Sequence, residues 1–171
     1  MTKEGFELLK QYEGCSLIAY KCPANIWTIG YGSTYYLDYS KVQEGDKINM
    51  DLANKMLKHT VEDFEKSVHY LLNGLYLPEQ CISALVCFAY NVGITAFAKS
   101  TLLRIIKDNK NNLKDIEIQF KRWNKANGKV LEGLVNRRNA EFVLYKKGVL
   151  SQYSKQEQEK IFSSQFKCNY K

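Results

Sequence analysis

EGCSLIAYKCPANIWTIGYGST, residues 13 to 34, is a segment that has to double back on itself. Its β-branched and aromatic residues favour strands, and CPAN supplies a turn between LIAY and IWTIGYG. A small antiparallel sheet is therefore the natural reading from Leu17 to about Tyr39, with Gly30 and Gly32 near its middle. The same segment carries Glu13, then Cys22 nine positions on, then Thr28 six beyond that. Doubling back would gather these three side chains around one reacting bond.

Working outward, the signals become helical. Phe6, Leu9 and Tyr12 recur every third residue between Thr2, a candidate N-cap, and Gly14, a stop, which predicts a short amphipathic helix over 3 to 12. Glu13 then stands at its C-terminal end. Residues 50 to 72 place Leu52, Met56, Val61, Phe64, Val68 and Leu71 at helical spacing, with Asn49 or Asp51 able to cap the start. Leu77-Pro78-Glu79 opens the next helix, and ISALVCFAYNV is apolar nearly all round, as a core helix is. Further helices are expected near 101 to 108, 112 to 124 and 133 to 147, the last two separated by the loop KANGK. From Ser151 to Lys171 the chain is polar and lacks an apolar stripe until Ile161 and Phe162, so this tail is expected to be peripheral or partly disordered. The predicted class is α+β and mainly helical. One domain over 1 to 150 would divide into a sheet lobe at about 14 to 49 and a helical lobe at about 73 to 148 that takes in the N-terminal helix.

At 171 residues, 45% hydrophobic and 25% charged, the composition is that of an ordinary globular protein able to bury about two thirds of its unfolded surface. The net charge of +7 favours a polyanionic partner: nucleic acid, anionic lipid or a negatively charged cell wall. Nucleic acid is not expected, because there is no zinc-finger, RNP or basic-zipper pattern. No run reaches the roughly 18 apolar residues of a membrane span, and MTKEGFELLKQYEG lacks the apolar run of an export signal. Cysteines at 15, 22, 81, 87 and 168 are odd in number and form no CxxC pair, so a reduced protein is expected. His59 and His69 have no cysteine near them in sequence and read as surface histidines, with no metal site and no cofactor implied.

A carboxyl group at a helix C-terminus feels the negative pole of the helix dipole, and partial burial adds a desolvation penalty. Both favour the protonated form and suit Glu13 to be a general acid, whereas an arginine or lysine from elsewhere would oppose that shift while fixing the side chain. Breaking a glycosidic bond needs such an acid and, across the sugar ring, a nucleophile or a base that activates water. Cys22 could supply a thiolate and Thr28 a hydroxyl that holds water. Composition and spacing alone favour a plainer reading, with Cys22 a small apolar filler and Thr28 an ordinary strand former.

What separates these readings is resemblance. EGCSLIAYKCPANIWTIGYGST resembles the N-terminal signature of phage-type lysozymes, the endolysins of glycoside hydrolase family 24. ALVCFAYNVGITAFAKSTLL resembles that family's central helix and following turn, and RWNKANGKVLEGLVNRRNAE its C-terminal signature, so the likeness covers most of 3 to 148. The resemblance implies a two-lobed lysozyme-like fold. It also implies a muramidase that hydrolyses the β-1,4 bond between N-acetylmuramic acid and N-acetylglucosamine in bacterial peptidoglycan strands. Carried over by motif, Glu13 is the acid, Cys22 the second catalytic group and Thr28 the residue that positions water. Cysteine stands where the family commonly has aspartate, and Ser33 where a histidine often follows the TIGYG turn. Asn91 is implied to touch glycan in the cleft, and Arg137 or Arg138 to approach Glu13. As a thiolate, Cys22 would give a covalent intermediate and retention; assisting a water on Thr28, it would give inversion. A weakly active or non-catalytic wall-binding module is the alternative. A monomer is expected, held in the host cytoplasm until a separate membrane lesion releases it to the periplasm and cell wall.

Overall fold

The computed structural model describes residues 1–109 and 112–166, leaving Cys168 and the end of the polar tail outside the described residues. In chain order the elements are α1 (Lys3–Glu13), β1 (Ser16–Lys21), β2 (Trp27–Gly30), α2 (Met50–Leu72), α3 (Glu79–Val92) and α4 (Ile94–Ala98). There follow α5 (Thr101–Asn109), α6 (Leu113–Lys121), the short strands β3 (Lys125–Ala126) and β4 (Lys129–Val130), α7 (Glu132–Leu150) and α8 (Lys155–Phe166). The molecule is thus mostly helical with small antiparallel sheets, the predicted class.

Helix α1 begins where Thr2 Oγ1 accepts the Gly5 N–H at 3.1 Å and stops at Gly14, whose φ of 67° other residues adopt only with strain. Asn49 caps α2 in the same way, its Oδ1 accepting the Leu52 N–H at 2.8 Å. Pro78 sits one position before α3 rather than inside its first turn, where its missing N–H costs nothing. Nearly every face of α3 from Cys81 to Ala89 is buried, and α1, α2, α4 and α7 pack around it. At its centre the Phe88 ring meets Phe97, Phe120 and Trp123 edge-on, at centroid distances of 6.0, 5.4 and 5.6 Å. Each such pair adds about 0.5–1.5 kcal/mol to the area that it buries.

The sheet lobe is slighter. β1 and β2 pair antiparallel with Tyr20 opposite Thr28 and Lys21 opposite Trp27, and an irregularity between Ser16 and Tyr20 bends β1. That bent stretch bonds instead to 46–48, where Asp46 O accepts the Ala19 N–H and Leu17 O accepts the Ile48 N–H, both at 2.9 Å. Ile29, Val42 and Met56 form a small separate core that leans the sheet on α2.

Three stretches carry more structure than the sequence reading gave them. Gly93 at φ 89° ends α3 and opens the one-turn helix α4. KANGK, expected as a loop, is a tight hairpin between β3 and β4, with Asn127 at φ 49° and Gly128 at φ 76° in its turn. Within the tail expected at 151 to 171, residues 155 to 166 form α8: Gln165 Oε1 accepts the Leu113 N–H at 2.7 Å, and Ile161 rests on the core.

Candidate active site

Glu13 is the last residue of α1, so its position follows from the helix stop at Gly14. Its side chain is one-fifth exposed, and its Oε1 lies 2.7 Å from Arg137 Nη2 on α7, an ion pair rather than an aligned hydrogen bond. Arg137 is fixed from behind: the same Nη2 donates to the Cys87 carbonyl at 3.1 Å, Nε donates to Glu141 Oε1 at 3.0 Å, and the guanidinium lies 5.8 Å from the Tyr12 ring centre. Tyr90 on α3 feels the Glu13 charge, and its hydroxyl donates to the Tyr31 carbonyl at 2.9 Å, tying the core helix to the sheet lobe. Burial, with the Glu13 charge adding to it, pushes the Tyr90 phenol far up, so it stays neutral and acts as a donor.

Cys22 follows β1 at the start of the turn, where its N–H donates to the Ile26 carbonyl at 3.0 Å and its carbonyl accepts the Asn25 N–H at 2.8 Å. Asn25 takes the left-handed conformation, φ 60°, that closes this turn. Hydrogen bonds from the backbone N–H groups of Ile26 and Ala24, and from the Thr28 hydroxyl, hold the Cys22 thiol below its ordinary range. Thr28 is buried, and its Oγ1 also donates to the Ile26 carbonyl at 3.0 Å. One hydroxyl proton cannot serve the Ile26 carbonyl and the Cys22 sulfur at once.

The structure therefore brings Cys22 and Thr28 into contact and brings Glu13 onto Arg137. Among the described residues no hydrogen bond or ion pair joins Glu13 directly to either partner. The two groups sit on separate elements, the end of α1 and the β1–β2 turn. Asn91 is exposed near the end of α3, and its Oδ1 accepts from Arg138 Nη2 at 3.0 Å. Arg137 and Arg138, which the resemblance places with Asn91 among the substrate-binding residues, one of them approaching Glu13, are 3% and 0% exposed. Neither can present its guanidinium to a polymer in solution, and of the two it is Arg137 that meets Glu13. Spacing could not separate them because helix neighbours differ by about 100°; both turn inward because Glu141 answers both charges.

Glu141 escaped the sequence reading, as did Tyr12, Tyr31, Cys87 and Tyr90. The available signal was a glutamate on the same helix face as two arginines, at i+3 and i+4. Cys15 is exposed as a residue, but partial burial of its sulfur raises its thiol, against the Tyr31 hydroxyl bonded to it. Strand β1 separates Cys15 from Cys22 by a span on the order of 20 Å, against the roughly 7 Å limit for a bridge, so this fold holds no disulfide between them. Among the described residues there is no cluster suited to a metal ion, and no helix is long and apolar enough to cross a membrane.

Comparison with known proteins bears on this arrangement. A family model described as phage lysozyme matches residues 10–141. The endolysin of Bacillus phage PZA is 40% identical over 150 residues, which are 86% of this chain and 55% of that protein. The endolysin of Acyrthosiphon pisum secondary endosymbiont phage 1 is 36% identical over 151 residues, 85% of this chain and 97% of that one. The chain thus spans about half the length of the first relative and nearly all of the second. Among solved structures, the endolysin from Escherichia coli O157:H7 phage FAHEc1 superposes with a TM-score of 0.74 at 33% identity, covering 90% of this chain and 96% of its own.

Proposed function

Because the chain belongs to the phage lysozyme family, we propose that it is a muramidase cleaving the β-1,4 bond between N-acetylmuramic acid and N-acetylglucosamine in bacterial peptidoglycan. The observation that carries the reading is Glu13, four-fifths sheltered at the end of α1 on the buried Arg137, in a fold whose β1–β2 hairpin holds a thiol and a hydroxyl together. Glu13 is the general acid: it gives its proton to the departing glycosidic oxygen as the bond to the anomeric carbon breaks. Cys22 Sγ, as the thiolate favoured by its N–H and hydroxyl donors, forms a bond to that carbon from the opposite face. Water then displaces the sulfur, giving up a proton to Glu13, and the product keeps its anomeric configuration. Thr28 holds that water and steadies the thiolate in turn. Asn91, exposed at the end of α3, contacts the glycan. The chemistry calls on no cofactor or metal.

The positive charge of +7 supports wall binding, because it concentrates the protein on an anionic polymer and makes binding salt-sensitive. We read the chain as a monomer that reaches the wall from the host cytoplasm after a separate lesion in the membrane. Release of reducing ends from purified peptidoglycan by the wild type, Glu13→Gln and Cys22→Ser proteins tests the assignment. Loss of a general acid costs about 100- to 10,000-fold, and Glu13→Gln should fall by that much. Full hydrolysis by Glu13→Gln would sink it. Wall pelleting by the wild type without any reducing ends would favour a binding module instead. Proton NMR of the first-formed product distinguishes retention from inversion.

A further inference from the structure

Taking ions out of water is costly, and an apolar trio in place of a buried Arg–Glu–Arg group is often no less stable. This protein buries such a group nonetheless. Glu141 and Arg138 are fully buried and Arg137 is 3% exposed. One atom, Glu141 Oε1, accepts from Arg137 Nε at 3.0 Å and from Arg138 Nη2 at 2.9 Å. Its other oxygen meets no protein donor among the described residues. From this common point each arginine reaches on: Arg137 to Glu13 at 2.7 Å and Arg138 to Asn91 at 3.0 Å.

We infer that Glu141 is a positioning residue for glycan cleavage, gripping Arg137 and Arg138 on one oxygen and so fixing Glu13 and Asn91 relative to each other. The inference rests on the muramidase reading of the cleft. Its geometric basis is the division of labour on each guanidinium. Arg137 meets Glu13 and the Cys87 carbonyl through Nη2 alone, so without the bond at Nε the group is free to swing about that end. Arg138 likewise uses Nη2 for both Asn91 and Glu141, with its flat face 4.9 Å from the Phe88 ring centre. Glu141 also takes up part of the Arg137 charge that would otherwise fall on Glu13 alone.

The groups facing Glu141 are Arg137 and Arg138 on its own helix, Glu13 from α1 and Cys87 from α3, while Tyr90 of α3 faces Glu13 and Arg137. Burial holds the Cys87 thiol and the Tyr90 phenol neutral, which leaves the two carboxylates to answer the arginines. Burial pushes Glu141 itself up to about 7 against the pull of both arginines. The grip therefore loosens as pH falls through that value and Glu141 takes up a proton.

The test compares wild type with Glu141→Gln, which keeps the shape and loses the charge, and with Glu141→Met. kcat and KM for purified peptidoglycan are measured from about pH 5 to about pH 9. A misplacement of about 1 Å costs up to about 100-fold, so kcat should fall roughly ten- to hundredfold in Glu141→Gln, with KM within about twofold. The wild-type kcat profile should carry an inflection near 7 that Glu141→Gln lacks. Unchanged kcat, or a loss confined to KM or to the folded fraction, overturns the inference. A second measurement reads the bond itself: the Arg137 Nε–H NMR signal, which reports its bond to Glu141 Oε1, should shift between wild type and Glu141→Gln, and a signal identical in the two overturns the grip. If the wild type releases no reducing ends, the muramidase reading fails, while the Arg137 signal still decides whether Glu141 holds the arginine.

Discussion

Cys22 and Cys15 lie on one short stretch of chain, and their surroundings pull them in opposite directions. N–H and hydroxyl donors hold the Cys22 thiol below its ordinary range, whereas burial holds Cys15 above it. Because the thiolate is the reactive form, iodoacetamide near neutral pH should label Cys22 first and Cys15 more slowly. The buried Cys81 and Cys87 should resist until the protein unfolds. Peptide mass spectrometry over time reads this order, and labelling of Cys15 ahead of Cys22 would show that the turn donors do not reach the sulfur. Thr28→Val removes one donor and should slow Cys22 labelling several-fold while the backbone N–H donors remain. The sequence let Glu13, Cys22 and Thr28 be picked out because all three fall on one doubled segment. Glu141 was not legible there, since its meaning depends on Glu13 lying 128 positions away and on Cys87 and Asn91 from a third helix.

The elements that carry these residues are locked by close approach at α3. A Cβ added at Gly148 of α7 would come within 2.7 Å of Cys81 Sγ and 2.8 Å of the Cys81 backbone N, and one at Gly5 of α1 within 2.6 Å of Ser83 Cβ. Gly148→Ala gains some helix propensity but must push α7 away from a backbone atom that cannot yield. It should destabilise by about 1–3 kcal/mol, read as a lower denaturant midpoint with an unchanged slope. An unchanged midpoint would mean that α7 shifts freely on α3. Since α7 carries Arg137, that freedom would also undo the account of how Glu13 is held. The helix starts were legible because Thr2 and Asn49 are local signals with a local bond to make. α4 is too short to show a period, and α8 has Ile161 and Phe162 as its main apolar pair, so its docking through Gln165 could not be read from pattern. The β3–β4 hairpin leaves one trace, the turn pair Asn127-Gly128, but its flanking Lys125, Ala126 and Lys129 are poor strand formers, so the sequence reads there as a loop.

For the whole molecule, the buried carboxylate sets a direction for stability against pH. Glu141 has an ordinary value of 4.5 and a folded value near 7. Below the lower value it is protonated folded or unfolded, and its contribution to stability is fully present. Between the two values the folded protein keeps the proton that the unfolded chain releases, so stability falls as pH rises through this window. Above the folded value the loss is complete. The carboxylates held low, Asp38 and Glu157, change on the acid side of their ordinary values and do not oppose this slope. Thermal melting of the wild type should therefore show a midpoint that declines from about pH 4.5 to about pH 7.5, and Glu141→Gln should flatten the decline. Comparing slopes rather than midpoints matters, because the amide also alters how two buried arginines are met. A wild-type midpoint that rises across the window would mean that the arginines overcome burial and keep Glu141 ionised at low pH. In the expected case, stability and the proposed grip on Glu13 and Asn91 have opposite preferences: the fold is firmest with Glu141 neutral, and the arginines are held best with it charged. A carboxylate kept in the interior on those terms, with both of its arginines reaching on toward Glu13 and Asn91, is better explained by what it holds in place than by what it adds to stability.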